Sequence, residues 1–364
     1  MGMRNLIGTL IKTAPLIHPV STPEGVLKRA KYCLRGLAFA RHTKEWFELL
    51  QTPELALVVR NHPYLFHKLQ RPYLNRTLST RQRLETLKQH YHFVTTSFSP
   101  SVRENVYALS GLLLATSHMA KLGDFELRLR CSHREKEGDF LIGLRHKDTG
   151  IDAFTMSFSV ASYGPGGKEI FIGGLQGHKS ADKDFVVSMT RSLHGLRPKA
   201  LLIFSLQQLA ACWGITRLRA VSDDKHIYRH FQKRRVLSAS YDEFWGQCGG
   251  TLSSDGMFDL PVTFIPRTIS TIKVNKRQMY KRRYVLLAKM ARQIWVSTPL
   301  SDDSRPVFDW TESQSEGFLD APENEDGRGE TSKPKGDRLD FQAAFRQLNA
   351  AVTEDQTVIP MEAA

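Results

Sequence analysis

The sequence predicts an α+β protein: an antiparallel β meander that continues into a βαβ unit, preceded by a helical N-terminal domain and followed by a disordered acidic tail. Three observations carry this reading. Phe125-Glu126-Leu127-Arg128-Leu129-Arg130-Cys131 alternates apolar and polar residues with period two, as a half-buried strand does. Three more apolar runs, 139–145, 151–160 and 168–174, are separated by Glu137-Gly138, Asp148-Thr149-Gly150 and Gly164-Pro165-Gly166-Gly167, short turn clusters that join antiparallel neighbours. After Gly177 the period becomes helical, so the junction Gly173-Gly174-Leu175-Gln176-Gly177 is the centre of the fold.

Residues 1–22 form an N-terminal segment, read as a soluble start because Lys12 interrupts its apolar run and no small-residue cleavage site follows. A myristoylation pattern fails, since Leu6 stands where Ser or Thr is needed. Residues 23–122 read as a helical domain, with segments near 23–50, 53–70, 79–92 and 101–121. Thr22-Pro23 and Ser79-Thr80 supply helix starts, and Tyr107, Leu109, Leu112, Leu113 and Leu114 give the last segment a wide apolar face.

The α/β core is placed at 123–296. A helix is expected over 183–194, and a second from Pro198, suited to a first helical position, to Gly214, suited to a C-terminal cap. Leu202, Leu206, Leu209 and Trp213 line one face of the second. Then come a strand at 215–221, a basic helix at 224–235 and a short aromatic strand at 241–247, an order that makes a βαβ crossover. Residues 273–292 carry eight Lys and Arg and no acid, with Tyr280, Tyr284 and Leu287 on one face, a basic amphipathic helix. From 297 to 364 the chain is rich in Ser, Glu, Asp, Gly and Pro and reads as a disordered tail.

Charge divides the chain the same way. The overall +14 combines a tail with 15 Asp and Glu against 6 Lys and Arg, a net of −9 over 301–364, and a body of +23 over 1–300. A basic body attracts nucleic acid, anionic lipid or a phosphate-rich cofactor such as coenzyme A. No run approaches the roughly 18 apolar residues of a membrane-spanning helix. The four cysteines are scattered with no C-x-x-C pair, so neither a zinc cluster nor a disulfide framework is indicated, no metal is expected, and a cytoplasmic setting follows.

Several clusters are chemically suggestive, each beside a plainer structural use. Gly173 to Gly177 leaves a strand ahead of a helix, where backbone amides can approach a phosphate, or simply makes a tight turn. Arg191, His194, Arg197 and Lys199 gather cations at a helix end; His194 equally suits a helix C-terminus. Ala220 to Arg229 follows a strand, where ligand sites gather: His226 and Tyr228 can both donate and accept protons, while Asp223 suits a helix cap. Asp242 and Glu243 add carboxylates, either a general base if partly buried. The basic helix 273–292 either faces water or docks on an acidic partner, whether nucleic acid, an anionic membrane surface or the protein's own tail.

Ile172 to Gly177, Thr190 to Lys199, Ala220 to Asp223 with His226 to Arg229, Tyr241 to Trp245, and Lys276 to Tyr284 together resemble the VirK/YbjX family of bacterial proteins, over roughly 40–295. The resemblance implies a role in virulence and the stress response: antimicrobial-peptide resistance with envelope remodelling, and the DNA damage response. The strand order also resembles the acyl-CoA N-acyltransferase fold, which implies acyl-CoA or coenzyme A as cofactor. On that analogy Gly174, Gln176 and Gly177 face cofactor phosphates, Arg191 and Arg197 assist, and one of His226, Tyr228 or Asp242 moves the proton. The loop differs from the acyltransferase pattern Q/R-x-x-G-x-G/A. Two functions follow: an acyltransferase acting on an envelope lipid or peptide precursor, cytoplasmic and peripheral at the inner membrane, or a non-enzymatic binder of DNA or anionic membrane.

Overall fold

The computed structural model describes residues 1–19, 22–119, 122–134, 136–161, 167–179, 181–228 and 240–298. Its frame is an eight-stranded sheet. Strands β1 (Leu112–Met119), β2 (Gly123–Cys131), β3 (Phe140–His146), β4 (Asp152–Ala161) and β5 (Glu169–Gly177) form an antiparallel meander; β6 (Arg217–Ala220) pairs parallel to β5; and β7 (Thr251–Leu252) and β8 (Phe258–Leu260) complete the order β1-β2-β3-β4-β5-β6-β8-β7. The expected mixed α+β class and the meander passing into a βαβ crossover are present.

The crossover is made by α8 (Lys183–Ser192), capped by the Asp182 carboxylate on the Phe185 amide, and α9 (Pro198–Cys212). Gly214 takes φ +62 after α9, a left-handed residue where a Cβ would be strained. α9 is buried nearly all round, so it is a central helix rather than the one-faced helix its spacing suggested. On one side it meets the sheet, with Trp213 against Phe140 and Phe158; on another it meets α11 (Val274–Ser297).

The N-terminal half supplies α1 (Met3–Ile17), α2 (Pro23–Ala38), α3 (Ala40–Leu50), α4 (Ala56–Asn61), α5 (Leu65–Lys68), α6 (Thr80–Ser97) and α7 (Pro100–Tyr107). α1 lies in the segment to which the sequence reading assigned no helix. The helices and the sheet share one apolar core, with Trp46, Phe47, Tyr91 and Phe98 continuous with Phe140, Phe158 and Leu206. Lys68 fastens them through buried polar contacts: its Nζ lies 2.8 Å from Asp139 Oδ1 and donates to the Gly138 carbonyl at 3.1 Å. Tyr91 donates to Asp139 at 3.0 Å, and Tyr73 donates to the same carboxylate.

Three further sequence expectations are corrected. Residues 101–121 are not one helix: α7 ends at Tyr107, Gly111 turns the chain at φ +71, and Leu112–Met119 becomes the edge strand β1. A short apolar run does not distinguish a buried strand from a helix, and here pairing with β2 and packing under α11 decide. Residues 241–247 are not a strand but a helix, α10 (Tyr241–Gln247), because Ser240 caps it by accepting from the Glu243 amide at 3.1 Å. The helix expected from Asp224 is replaced over 224–228 by turns, its remainder lying outside the described residues. The tail expected from 297 begins after α11, which runs to Ser297, and lies outside the described residues from 299 on.

Candidate functional site

Pairing between β5 and β6 ends at Ile172 and Ala220, with one more bond from the Val221 amide to the Ile172 carbonyl at 2.9 Å. Beyond that β5 runs on to Gly177 paired with β4 alone, and the edge that β6 has left needs other partners. Tyr241, at the start of α10, supplies them: its hydroxyl accepts from the Leu175 amide at 3.1 Å and donates to the Leu175 carbonyl at 3.2 Å. The parting of the strands is filled by a side chain instead of remaining an open cleft.

The opposite side of β5 is covered by the turn between β2 and β3. Gly173 is the extra residue of a bulge, since Phe158 pairs with Ile172 and Ser157 with Gly174. A Cβ on Gly173 would lie 2.1 Å from the Glu137 carbonyl oxygen, and one on Gly174 would lie 2.3 Å from Glu137 Oε2. The two glycines therefore admit Glu137 against the strand. Gln176 then donates to Glu137 Oε1 at 2.6 Å.

Glu137 is fully buried, and among the described residues nothing hydrogen-bonds its Oε2. Burial pushes its carboxyl up to about 7, against the opposing pull of Arg134 and Gln176. His226 Nε2 lies 3.8 Å from Glu137 Oε1 and likewise has no hydrogen-bond partner among the described residues. Burial holds the imidazole down at about 4, with Asp223 pulling the other way, so at neutral pH this contact joins a neutral ring to a carboxyl held well above its ordinary range. His226 Nδ1 accepts from the Tyr228 amide at 3.4 Å, which assigns the ring proton to Nε2, toward Glu137. His226 stacks on Tyr241 and Tyr241 on Trp245, whose indole N–H donates to the Val221 carbonyl at 2.8 Å.

Two loops carry the pair, and one N-terminal segment holds both. The Leu74 amide donates to the Lys136 carbonyl at 2.7 Å, and the Arg76 amide to the Lys225 carbonyl at 2.9 Å. Leu74 is buried at φ +58, a left-handed conformation uncommon outside glycine, which this clamp maintains. Beside the cluster, Thr155, paired across the strands with Gln176, lines a cavity of about 210 Å³ with His133, Arg134, Ile151, Asp152 and His178. Burial, with Arg134 and Arg130 nearby, keeps His133 neutral at pH 7, so Arg134 is the permanent cation there.

The residues singled out from sequence fall into two groups. Gly174, Gln176 and His226 come together around Glu137, and Tyr228 stands at the edge with its ring 5.6 Å from His226. Gly177 packs over the Phe154 ring. Asp242 is committed to structure: its Oδ1 accepts the Asp223 amide at 2.7 Å, while Asp223 accepts from the Tyr241 amide and the Ser240 hydroxyl. Asp223 thus caps no helix beginning at 224; it holds the first amide of α10, whose cap is Ser240. Arg197 donates to Gln247 at the far end of α10, and Arg191 lies in the last turn of α8. Sequence reasoning missed Glu137 as a functional residue: it read as part of a Glu-Gly turn, and its only signal was a carboxylate facing a Gly-Gly pair.

The fold and site define an α+β protein with a buried carboxylate and imidazole wedged where two parallel strands part. The chain belongs to a family described as a protein of unknown function (DUF535), whose model matches residues 23–295. It is 32% identical over 271 residues to the Escherichia coli K12 protein described as uncharacterized protein YbjX, covering 73% of this chain and 82% of that one. An uncharacterized Haemophilus influenzae protein is 25% identical, over 47% of this chain and 56% of its own. A Mannheimia haemolytica protein named membrane protein LapB is 25% identical, over 53% of this chain and 82% of its own. No solved structure matches. Among the described residues no helix is long and apolar enough to cross a membrane.

Proposed function

We propose that this chain is an acyltransferase, acting on an envelope lipid or peptide precursor in the stress and virulence setting its family resemblance implies, in which Glu137 moves the proton. The observation that supports this is the buried Glu137 carboxyl, poised near pH 7 with one oxygen unpartnered among the described residues. A buried acid tuned to its working pH suits general acid–base chemistry, worth about 10²- to 10⁴-fold in rate. Gln176 fixes one carboxyl oxygen, His226 presents an N–H toward the same oxygen, and Tyr241 keeps water from the parted backbone.

The glycine junction itself does not fit a cofactor pyrophosphate. Glu137 covers Gly173 and Gly174, and α8 begins with two carboxylates, Asp182 and Asp184. The cavity beside Thr155 sets the Arg134 cation beside the Asp152 carboxylate, and its roughly 210 Å³ would admit the thioester end of a donor, not a whole coenzyme A. Acyl-coenzyme A with its thioester end there would supply an activated acyl group. The acceptor amine or hydroxyl would attack the thioester carbonyl, forming the new amide or ester bond as the carbon–sulfur bond breaks. Glu137, where ionised and reached by the acceptor, would take the acceptor's proton and return it to the departing thiolate. Titration calorimetry with coenzyme A and acetyl-coenzyme A tests the reading: heat of binding that disappears in Arg134→Ala supports it, and folded protein giving no response at millimolar ligand ends it.

A second reading, a binder of DNA or anionic membrane, rests on α11. Its Leu287, Met290, Ala291 and Ile294 are buried, leaving Lys276, Lys281, Arg282 and Lys289 in solvent. The name of the Mannheimia relative accords with a membrane partner. Lys281→Glu with Arg282→Glu is the variant to use, because Arg283 holds the His194 carbonyl and its loss would disturb the fold. Salt-sensitive binding to duplex DNA or vesicles that survives this double reversal excludes α11 as the contact.

A further inference from the structure

α2 is amphipathic the wrong way round for a helix of a water-facing domain. Its buried residues are Gly25, Tyr32 and Gly36, a narrow stripe on which α1 sits closely: a Cβ at Gly36 would come within 2.5 Å of Leu10 Cδ2, and the Tyr32 and Thr13 hydroxyls lie 2.8 Å apart. Its apolar residues face outward. Val26, Leu27, Leu34 and Leu37 are 54, 52, 66 and 39% exposed, and Ala30 is exposed among them. At 100° per residue these five fall within an arc of about 100°, roughly opposite the buried stripe. Phe39, just past the helix end, is 44% exposed and extends the row.

A helix packed against a soluble core normally turns its large apolar side chains inward and its charges outward. Here small residues make the inner contact, and the large aliphatic side chains are left to water beyond the scatter of single exposed residues that every surface shows. Cations frame them. Lys28, Lys31 and Arg35 follow one edge and Arg29 the other, while the helix holds a single acid, Glu24, which pairs with Lys28 at 2.7 Å. α1, packed alongside, leaves Met3, Ile7 and Ile11 exposed and carries Arg4 and Lys12 with no acid.

An apolar face bordered by Lys and Arg is the pattern of a helix lying in the interface of an anionic bilayer, with aliphatic side chains below the headgroups and cations at the phosphates. A second copy of this chain fits less well. Pairing α2 on α2 about a two-fold axis brings the same cation row to both sides, with only Glu24 to offset it. We propose that α2 is a membrane-docking face, seating the protein on anionic lipid through Val26, Leu27, Leu34 and Leu37 with Lys31 and Arg35 at the headgroups. This contact is separate from α11 and independent of the transferase reading.

The experiment is co-sedimentation of the full chain with vesicles of phosphatidylglycerol and phosphatidylethanolamine, against vesicles of phosphatidylcholine alone. Binding to the anionic vesicles is expected, falling steeply between low and physiological salt. Leu27→Glu with Leu34→Glu is expected to weaken binding at least tenfold at an unchanged thermal midpoint, because both positions are solvent-exposed. Lys31→Glu with Arg35→Glu is expected to weaken it as well. Wild-type protein that stays in the supernatant, or a Leu27→Glu, Leu34→Glu variant that sediments like wild type, overturns the proposal. So does light scattering that shows a dimer dissolved by the same pair of changes, which would give the face to a second copy.

Discussion

The Tyr241 hydroxyl closes on both backbone groups of Leu175, accepting from the amide at 3.1 Å and donating to the carbonyl at 3.2 Å. A single phenol therefore does the work of a missing strand where β5 outruns β6. Tyr241→Phe keeps the ring stack on His226 and Trp245 but leaves two buried backbone groups unpaired, each worth about 1–3 kcal/mol. The expected result is a chain destabilised by a few kcal/mol in urea, with the Leu175 amide exchanging far faster. Unchanged exchange at Leu175 would mean that another group or water replaces the phenol.

Glu137→Gln tests the raised carboxyl directly. The ordinary value of the group is 4.5 and its native value about 7. Below pH 4.5 both states are protonated. Between 4.5 and 7 the unfolded chain ionises first, so the native state loses stability as pH rises, by roughly 3 kcal/mol in all, and the loss levels off above 7. His226, with a native value of about 4, works in the opposite sense, stabilising above its ordinary 6.5 and losing that contribution as pH falls toward 4. Because His226 touches Glu137, the comparison is made in a His226→Gln background, where the histidine is absent from both chains. The difference between the two chains should grow in favour of the Glu137→Gln variant from pH 4.5 to 7; a flat difference would show an ordinary carboxyl.

Gly173→Ala and Gly174→Ala should both destabilise, by about 1–3 kcal/mol each, because an added methyl meets Glu137. Gly173→Ala should cost more, since it meets the Glu137 carbonyl oxygen in the backbone, whereas Gly174→Ala meets the end of a side chain. Thermal midpoints read the order. Equal midpoints for wild type and both variants would return these glycines to a turn with no close neighbour.

Lys68→Met should be among the most damaging single changes in the N-terminal half. Burial alone would raise the Asp139 carboxyl, and Lys68, His90 and Tyr73 bring it down to about 2. Removing the ammonium leaves that charge alone in the core at a cost of about 3–5 kcal/mol. Lys68→Met combined with Asp139→Asn should recover much of the loss in urea denaturation. A double variant no better than the single would locate the cost in packing of the lysine stem.

Much of the frame was legible in the sequence. Period-two alternation found β2, turn clusters bounded β3, β4 and β5, and Pro198 and Gly214 bracketed α9 and its cap. The errors share one physical origin, which is that distant segments decide local structure. Leu112–Met119 is a strand because β2 lies beside it, and Tyr241–Gln247 is a helix that Ser240 caps and that Asp223, from another loop, holds by its first amide. The candidate site was half legible for the same reason. Gly174, Gln176 and His226 stood out by type and place, but Glu137 looks like any turn acid until the Gly-Gly bulge is laid against it.

Residues 74–76 clamp two loops that come from positions 136 and 225, and the groups they gather are Glu137, Gln176, His226 and Tyr241. During synthesis, Glu137 leaves the ribosome long before the phenol and indole that help to shut it from water. Until then it is an ordinary hydrated acid, ionised at neutral pH. The raised carboxyl therefore belongs to the closed domain alone, since Tyr241 and Trp245 stand more than a hundred residues after Glu137 in the chain.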